Sequence, residues 1–314
     1  MSSWSPPTSL LHAHDAMGAA VIGLPFYDPV YITLNLYVVG GSGDSGDVEI
    51  QTNYDLARRL RRPLEWQADL SLLTPRFGHA VSVGSDNRIY AIGGRSNPGG
   101  TLLGGVEGYS RYLPPKPPIW TVVKSMPTAR ERAAAAQGHD GVIYVAGGSN
   151  ASILGQSSPL RTLEAYDAST NTWKTLKHMH AHRDGAAAVT GTDSLIYVMG
   201  GADGSGVALS SVEAYDPATN TWASVTAMNT PRIGLGAVLG SDGQIYAIGG
   251  ANGAEVLATL EVYNFGTKAW TPGPSMLTAR QYLAAANGPD GGIYAIGGLT
   301  TFSGPADSVE VLFL

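Results

Sequence analysis

Short apolar runs that end in two glycines recur along the chain at nearly constant spacing. One run reads Ile143-Tyr144-Val145-Ala146-Gly147-Gly148. The other copies, each with a tyrosine three residues before the first glycine, are Leu36 to Gly41, Ile89 to Gly94, Ile196 to Gly201, Ile245 to Gly250 and Ile293 to Gly298. Runs of apolar, β-branched and aromatic residues predict buried β-strands. A period of about 50 residues predicts one supersecondary unit for each copy.

Each run lies within a larger unit that predicts four strands. Small residues after an arginine, as in Gly185 to Val189, predict strand a, and the Tyr-x-x-Gly-Gly run is strand b. Val212 to Tyr215 represents strand c, and the Pro, Asp and Asn content of Asp216 to Asn220 predicts the turn that follows it. A tryptophan marks strand d. These tryptophans are Trp66, Trp120, Trp173, Trp222 and Trp270.

An arginine before strand a and a glutamate in strand c also recur. The arginines are Arg76, Arg130, Arg183, Arg232 and Arg280, and the glutamates are Glu49, Glu107, Glu164, Glu213, Glu261 and Glu310. A residue that is repeated in nearly every unit serves the unit itself. We therefore expect these residues to form structural ion pairs that are partly buried, because such charges are costly to leave unpaired.

These motifs resemble the kelch repeat. The stretches VEAYDPATNTW (Val212 to Trp222) and MPTAR (Met126 to Arg130) are close to that family's consensus sequence, and the resemblance covers the whole chain. It implies an all-β fold, a six-bladed kelch β-propeller that forms a single domain over residues 1–314. It also implies a ring closed by the N-terminal strand pairing with the C-terminal blade, which leaves only short edges exposed.

The chain ends predict how the ring closes. The last repeat stops after strand c, and Ser2-Ser3-Trp4 at the start parallels Asn220-Thr221-Trp222 in strand d. Residues 2–5 should therefore pair with the C-terminal strand around Val309 to Leu312. Counting forward from Trp4 places His14 in the arginine position of repeat one, with extra residues in the a–b turn around Leu24 to Pro29.

Composition narrows the partners and the compartment. A formal net charge of -6 gives no general attraction to nucleic acid or to an anionic membrane, and no apolar run is long enough to span a bilayer. The first basic residue is Arg58, so residues 1–30 do not resemble a secretory signal. Cysteine is absent, which excludes disulfides and thiolate ligands. We expect a soluble cytoplasmic protein.

The resemblance implies that the d–a and b–c loops, on one face of the ring, carry the ligand. The ligand-binding candidates that match this position are Arg95, Glu131, Arg132, Asn150, Asp184, Asp203, Asn252, Gln281 and Tyr282. Arg130-Glu131-Arg132 is the most ligand-like segment, because arginine offers a planar fork to carboxylates and phosphates. The alternative is that Glu131 and Arg132 only pair with neighbours at the rim.

The histidines and the known kelch enzymes indicate no cofactor. His178, His180 and His182 alternate before repeat four, so a metal site has to be weighed against a solvated loop. Galactose-oxidase-type chemistry needs a cysteine, and the Glu-x-x-x-Asp-x-x-x-His iron run of nitrile-specifier proteins does not occur. We predict no metal and no cofactor. The metal-free chemistry of kelch sialic-acid mutarotases is neither supported nor excluded.

Insertions in the first two repeats lie on the opposite face. The c–d turns of repeats one and two are longer than the others, and they carry basic, aromatic and proline-rich residues. We predict a second contact surface there, with passive loops as the alternative. Its candidate residues are Arg58, Arg59, Arg61, Arg62, Tyr112 and Lys116. The long b–c loop from Ser149 to Thr162 lies on the other face and weakens this argument.

The sequence thus favours a kelch-repeat binding scaffold that presents loops at the channel mouth to a protein or peptide partner. The alternative is an enzyme or small-ligand receptor that uses the same mouth, of the sialic-acid-mutarotase type or with other metal-free chemistry. Convergent charged groups in a deep pocket would favour the alternative. A shallow polar rim would favour the scaffold.

Overall fold

Every regular element that the structure describes is a β-strand. The computed structural model describes residues 3–5, 8–14, 18–25, 32–39, 48–52, 66–96, 100–110, 117–150, 158–288, 290–301 and 304–314. Within these ranges there is no helix with the length and hydrophobicity needed to cross a membrane. In chain order the strands are β1 (Thr8–His14), β2 (Gly18–Pro25), β3 (Ile32–Val39), β4 (Val48–Thr52), β5 (Trp66–Asp69), β6 (Ala80–Val83), β7 (Ile89–Ile92), β8 (Val106–Ser110), β9 (Ile119–Val123), β10 (Ala134–Gln137), β11 (Ile143–Ala146), β12 (Leu163–Asp167), β13 (Thr172–Thr175), β14 (Asp184–Thr190), β15 (Ile196–Ala202), β16 (Val212–Asp216), β17 (Thr221–Val225), β18 (Gly236–Leu239), β19 (Ile245–Ile248), β20 (Leu260–Asn264), β21 (Ala269–Pro272), β22 (Ala284–Asn287), β23 (Ile293–Ile296), β24 (Leu299–Thr301) and β25 (Gly304–Leu312).

Five antiparallel sheets have four strands each, and each follows the predicted order a-b-c-d. They are β2 to β5, β6 to β9, β10 to β13, β14 to β17 and β18 to β21, which we call blades one to five. The remaining sheet contains both ends of the chain and runs β1-β25-β23-β22, with β24 paired to β25. The predicted all-β propeller is therefore confirmed.

The prediction of a six-bladed propeller is wrong, because the structure has five four-stranded blades and the sheet that contains both chain ends does not repeat their order of strands. The last repeat ends after its third strand, so its sheet takes an outer strand from the N-terminal segment and also gains β24. In this sheet Trp4 forms a bridge to Leu312, and the Ser5 N–H donates to the Val311 carbonyl at 2.7 Å. Closure of the ring by residues 2–5 and the contribution of these contacts to its stability stay predictions.

The strand-d tryptophans connect consecutive sheets. For the strand-d tryptophans whose side chains the structure describes, the indole N–H donates to a backbone carbonyl of the preceding sheet, four residues beyond that sheet's own tryptophan position. Trp4 makes the equivalent bond to Pro274, beyond Trp270. The bonds are Trp4 to Pro274 (2.8 Å), Trp120 to Leu70 (2.8 Å), Trp173 to Lys124 (2.8 Å), Trp222 to Lys177 (2.7 Å) and Trp270 to Thr226 (2.9 Å).

The recurring arginine and glutamate form the predicted ion pairs, and they are fully buried rather than partly buried. Each arginine is at most 3 % exposed. The Arg183 guanidinium also donates to the carbonyls of Gly200 and Ser211, at 2.8 and 2.9 Å, so that one side chain ties strands b and c to the preceding loop. The pairs are Arg76–Glu107 (2.5 Å), Arg130–Glu164 (2.9 Å), Arg183–Glu213 (3.0 Å), Arg232–Glu261 (3.0 Å) and Arg280–Glu310 (2.7 Å).

Blade one differs from the prediction in where its extra residues lie. β2 pairs with β3 over eight positions, from Gly18 opposite Val39 to Pro25 opposite Ile32. The insertion therefore extends both strands of this hairpin instead of lying only in the a–b turn, since added residues of strand-like composition can continue the ladder. All six candidates for the second contact surface lie outside the described residues.

Candidate binding rim at the channel mouth

A ring of backbone hydrogen bonds crosses from sheet to sheet at one mouth of the axial channel. It involves the residue two positions after each recurring arginine, namely Gly78, Arg132, Gly185, Gly234 and Tyr282. The Arg132 N–H donates to the Gly78 carbonyl at 2.5 Å, and the Tyr282 N–H donates to the Gly234 carbonyl at 2.6 Å. Between them, Gly185 donates to Arg132 at 3.1 Å and Gly234 donates to Gly185 at 2.8 Å. The ring thus joins five consecutive sheets at one level.

All five ring residues have a left-handed backbone. The φ angles are 60° for Gly78, 53° for Arg132, 67° for Gly185, 63° for Gly234 and 50° for Tyr282. Glycine adopts this conformation without steric cost, whereas a residue with a Cβ loses about 1–2 kcal/mol. The other described non-glycine residues with positive φ all lie in a–b or c–d turns; they are Asn87, Asn171, Ser194, Asn220 and Lys268. Arg132 and Tyr282 therefore place large side chains where three blades use glycine.

A chain of alternating charges surrounds Arg132. The Arg95 guanidinium donates to both carboxylate oxygens of Glu131, at 2.8 and 3.1 Å. The Arg132 guanidinium donates in the same bidentate way to Asp184, at 2.9 and 2.8 Å, and approaches Glu131 at 3.6 Å. Two cations and two anions thus alternate across neighbouring loops and neutralise one another. Paired forks of this kind fix the orientation of each guanidinium.

Burial and neighbouring charges together set the protonation states of the side chains at this rim. The side chain of Arg132 is 29 % exposed, whereas those of Glu131 and Asp184 are 8 % and 9 % exposed. Desolvation lowers the pKa of Arg132, but the charge of Asp184 and the nearby Tyr282 and Glu131 outweigh it and raise that pKa. Burial raises the pKa of Tyr282, while the positive charge of Arg132 opposes the shift. Arg132 is therefore always a cation and Tyr282 a neutral phenol at ordinary pH.

The structure thus brings five of the nine predicted ligand-binding residues together: Arg95, Glu131, Arg132, Asp184 and Tyr282. The other four do not join them. Asp203 accepts the N–H groups of its own turn, and Asn252 does the same. Asn150 is an exposed loop residue, and Gln281 is buried beside Leu299.

Below the rim lies a channel cavity of about 160 Å³, lined mainly by alanines of the innermost strands. His79 also contacts this cavity and is 5 % exposed. Burial and the charge of Arg76 lower the pKa of His79 to about 3, against a weak opposing effect of the Val39 backbone. Neither ring nitrogen makes a hydrogen bond of ordinary geometry within the described part of the chain. Sequence reasoning missed His79, although Leu235 and Leu283 at the equivalent position mark it as unusual.

Comparison with known proteins agrees with the motifs and the fold. The profile described as the KLHDC2/KLHL20/DRC7 Kelch-repeats domain matches residues 29–234, and the Kelch motif profile matches residues 235–277. The chain belongs to the kelch repeat family. No match is found among curated proteins. The solved structure titled "Structure of YjhT" is similar, with a TM-score of 0.76 and 16 % identity, covering 98 % of this chain and 96 % of that one. At this identity the likeness concerns the fold alone.

The histidines ahead of repeat four, in this kelch propeller, lie at the surface. His178, His180 and His182 are exposed, and the Nδ1 atom of His180 lies 2.8 Å from Oε2 of Glu213. Among the described residues, no three histidine or acidic side chains are grouped as metal ligands would be.

Proposed function

We propose that the protein is a kelch binding scaffold that recognises a protein or peptide partner at the channel-mouth rim, with Arg132 and Tyr282 as its central contacts. The observation that carries this proposal is their left-handed backbone, at φ 53° and 50°. The fold does not need a side chain at this position, since Gly78, Gly185 and Gly234 serve it elsewhere. Strained residues that the scaffold could avoid are concentrated at functional sites.

The chemistry of the two residues suits a partner. Arg132 uses Nε and Nη2 to hold Asp184, and its Nη1 makes no hydrogen bond within the described residues. That atom can donate to a carbonyl or carboxylate of a partner. Tyr282 supplies a rigid aromatic surface beside it. Arginine and tyrosine are the residue types that most often dominate binding energy at interfaces.

The dimensions of the channel favour a partner over the small-ligand alternative. Pockets for small molecules usually enclose roughly 300–1,000 Å³. The channel cavity of about 160 Å³ is smaller, and its walls are mainly alanine. The charges at the mouth are already paired, as expected for a shallow polar rim. An enzyme or small-ligand receptor, including a sialic-acid-mutarotase-like one, fits this arrangement less well.

The test compares proteins retained from a cell lysate by the native chain and by Tyr282→Gly and Arg132→Gly variants, using mass spectrometry. Glycine restores the residue that other blades have at this position, so both variants should stay folded. Asn87→Gly is the matched control, because Asn87 also has positive φ but lies in a turn on the opposite face. A partner retained by the native and control chains and lost with both rim variants supports the proposal. An unchanged set of partners contradicts it, and a metabolite that stabilises only the native and control chains would favour the small-ligand alternative.

We also propose, from the sequence, that the basic and proline-rich insertions form a second contact surface. Changing Arg58, Arg59, Arg61 and Arg62 together to serine should weaken self-association or partner capture, and high salt should weaken the same contact in the native chain. The measurements are oligomer mass and partner capture at two salt concentrations. No change in either one would identify the insertions as passive loops.

A further inference from the structure

Two asparagines on the face opposite the rim connect neighbouring blades through one oxygen atom. Asn171 and Asn220 stand in equivalent c–d turns with φ of 52° and 53°. In each, Oδ1 accepts a hydrogen bond from a tyrosine hydroxyl of its own blade and another from a lysine backbone N–H of the preceding blade. The distances are 3.0 Å from Tyr166 and 2.9 Å from Lys124 to Asn171, and 2.9 Å from Tyr215 and 3.0 Å from Lys177 to Asn220.

Blade five has an equivalent c–d turn without this oxygen, and it joins blade four there through a different bond, from the Thr226 hydroxyl to the Lys268 carbonyl at 2.7 Å. Lys268 stands at the asparagine position with φ 53°, and the Trp270 indole donates to Thr226 as the equivalent tryptophans do to Lys124 and Lys177. A lysine side chain has no acceptor atom. In the described part of the chain, the Tyr263 hydroxyl and the Thr226 N–H make no hydrogen bond, although their counterparts in blades two to four do.

An open groove of about 640 Å³ lies at this place, between blades four and five. Tyr263, Thr226, Lys268, Phe265 and Asp193 are among the residues that line it. The Phe265 ring stands edge-on to Tyr263, with centroids 5.4 Å apart, and forms an apolar wall. The groove therefore combines an aromatic wall with two hydrogen-bond donors, the Tyr263 hydroxyl and the Thr226 N–H. The equivalent donors of the neighbouring blades converge on a single asparagine oxygen.

The charges of the groove select a neutral oxygen. Burial and the charge of Asp193 raise the pKa of Tyr263, so its hydroxyl stays protonated and can donate. Asp193 already accepts the Tyr197 hydroxyl at 2.7 Å and would repel a carboxylate that came to the same place. Lys268 is exposed, where its charge is screened by solvent. A carbonyl oxygen of an amide meets these conditions better than an anion.

We propose that this groove binds a carboxamide, as in the side chain of an asparagine or glutamine on a protein partner. The amide oxygen would replace the missing Asn Oδ1 between the Tyr263 hydroxyl and the Thr226 N–H. The amide NH₂ group would face the Asp193 carboxylate. This site lies on the face opposite the rim and does not depend on the function proposed for Arg132 and Tyr282.

The test titrates N-acetyl-asparagine N-methylamide into the ¹⁵N-labelled full chain and follows the Thr226 amide resonance. N-acetyl-alanine N-methylamide and N-acetyl-aspartate N-methylamide are the matched probes, which have the same blocked ends but no primary carboxamide. A compound of this size should bind with a Kd on the order of millimolar. We expect the asparagine probe to shift the Thr226 resonance toward saturation, and the alanine and aspartate probes to leave it nearly unchanged.

Variants of this chain separate binding from structure. Lys268→Asn should place the chain's own amide oxygen in the site and so raise the melting temperature. It should weaken the binding of the asparagine probe about tenfold or more. Tyr263→Phe should weaken the probe about fivefold, the usual effect of one hydrogen bond. Tyr215→Phe is the matched control, since its hydroxyl is already bonded to Asn220, and it should leave the probe's affinity unchanged.

Three outcomes would overturn the proposal. One is a native chain whose Thr226 resonance does not respond to the asparagine probe. Another is tighter binding of the aspartate probe, which would make the groove an anion site. The third is equal affinity of the asparagine probe for the native chain and for Lys268→Asn, provided that the melting temperature shows this variant to be folded.

Discussion

Two arginines that are two residues apart in one loop have opposite roles. Arg130 is fully buried, pairs with Glu164 at 2.9 Å and has a counterpart in every regular blade from two to five. Arg132 is 29 % exposed at the side chain, pairs with Asp184 at 2.8 Å, and has glycine in the equivalent position of three blades. The two ion pairs have the same chemistry and nearly the same length. Repetition identifies Arg130 as part of the repeated blade structure, and departure from the repeat is the reason why we propose Arg132 as part of a binding site.

Among the changes that test this comparison, replacing Arg130 by alanine should lower the free energy of unfolding most. It leaves Glu164, which is 1 % exposed, as an unpaired buried charge. Removing one partner of a buried pair costs about 3–5 kcal/mol of unfolding free energy. Urea denaturation of the native and variant chains measures this difference. A loss below about 1 kcal/mol would show that the recurring pair is not a structural element of the blade.

Deleting residues 1–6 should cause the next largest loss of stability. It tests whether the N-terminal segment completes the last sheet as strand d completes the regular blades. Trp4 is 6 % exposed and bonds to Pro274 as the other strand-d tryptophans bond to their preceding sheets. Loss of a buried tryptophan costs about 3–5 kcal/mol, and the opened sheet edge adds to this loss. Partial compensation by β1, which also pairs with β25, should keep the total near the lower end of that range. Thermal unfolding measures it, and Trp4→Phe, which keeps the apolar ring, should lose less. An unchanged melting temperature of the deletion would contradict ring closure by this segment.

His79 should make a smaller contribution to the free energy of unfolding, and this contribution depends on pH. The lowered pKa, about 3 against an ordinary value of 6.5, means that the unfolded chain takes up a proton long before the folded one. The neutral histidine therefore contributes fully above pH 6.5, and its contribution is lost as the pH falls from 6.5 toward 3. Between pH 7 and pH 4.5 the loss should be about 2–3 kcal/mol.

Leucine at position 79 removes that loss, since Leu235 and Leu283 already occupy the equivalent position. The His79→Leu variant should keep more of its stability at pH 4.5 than the native chain does. Urea denaturation at the two pH values gives the comparison. Equal loss of stability in both chains would mean that His79 is protonated in the folded state or is accessible to water.

The strands and buried ion pairs of the blades could be predicted from the sequence because they are repeated. Residue pattern and spacing located the four strands and the Arg183–Glu213 type of pair. They placed the tryptophans in strand d but did not predict their hydrogen bonds to the preceding sheet, such as that of Trp222 to Lys177. The resemblance to kelch proteins grouped Arg132, Asp184 and Tyr282, because in that family the loops after each recurring arginine meet at one mouth. The predicted number of six blades was wrong, because spacing does not show how the sheet that holds both chain ends is built, including its extra strand β24.

The missed features depend on properties that spacing does not carry. A positive φ cannot be read from an arginine or a tyrosine alone, although Gly78, Gly185 and Gly234 at the aligned position were an available signal. Asn252 was predicted to be a ligand residue, but its side chain bonds to its own turn, as short polar side chains often do in loops. The exchange of asparagine for Lys268 becomes meaningful only when the neighbouring blades show which oxygen is missing.

Replacing Arg132 by glycine should have the smallest effect on stability and so complete the comparison with Arg130. The variant loses the partly exposed ion pair between Arg132 and Asp184, which costs stability. It also removes the strain of a left-handed arginine, which offsets about 1 kcal/mol of that cost. We expect a net change within about 1 kcal/mol, measured by the same urea denaturation. Tyr282→Gly, which breaks no ion pair, should be neutral or slightly stabilising for the same reason. If Arg132→Gly instead destabilises the chain as much as Arg130→Ala, then Arg132 belongs to the repeated blade structure, and its position at the mouth has no special bearing on binding.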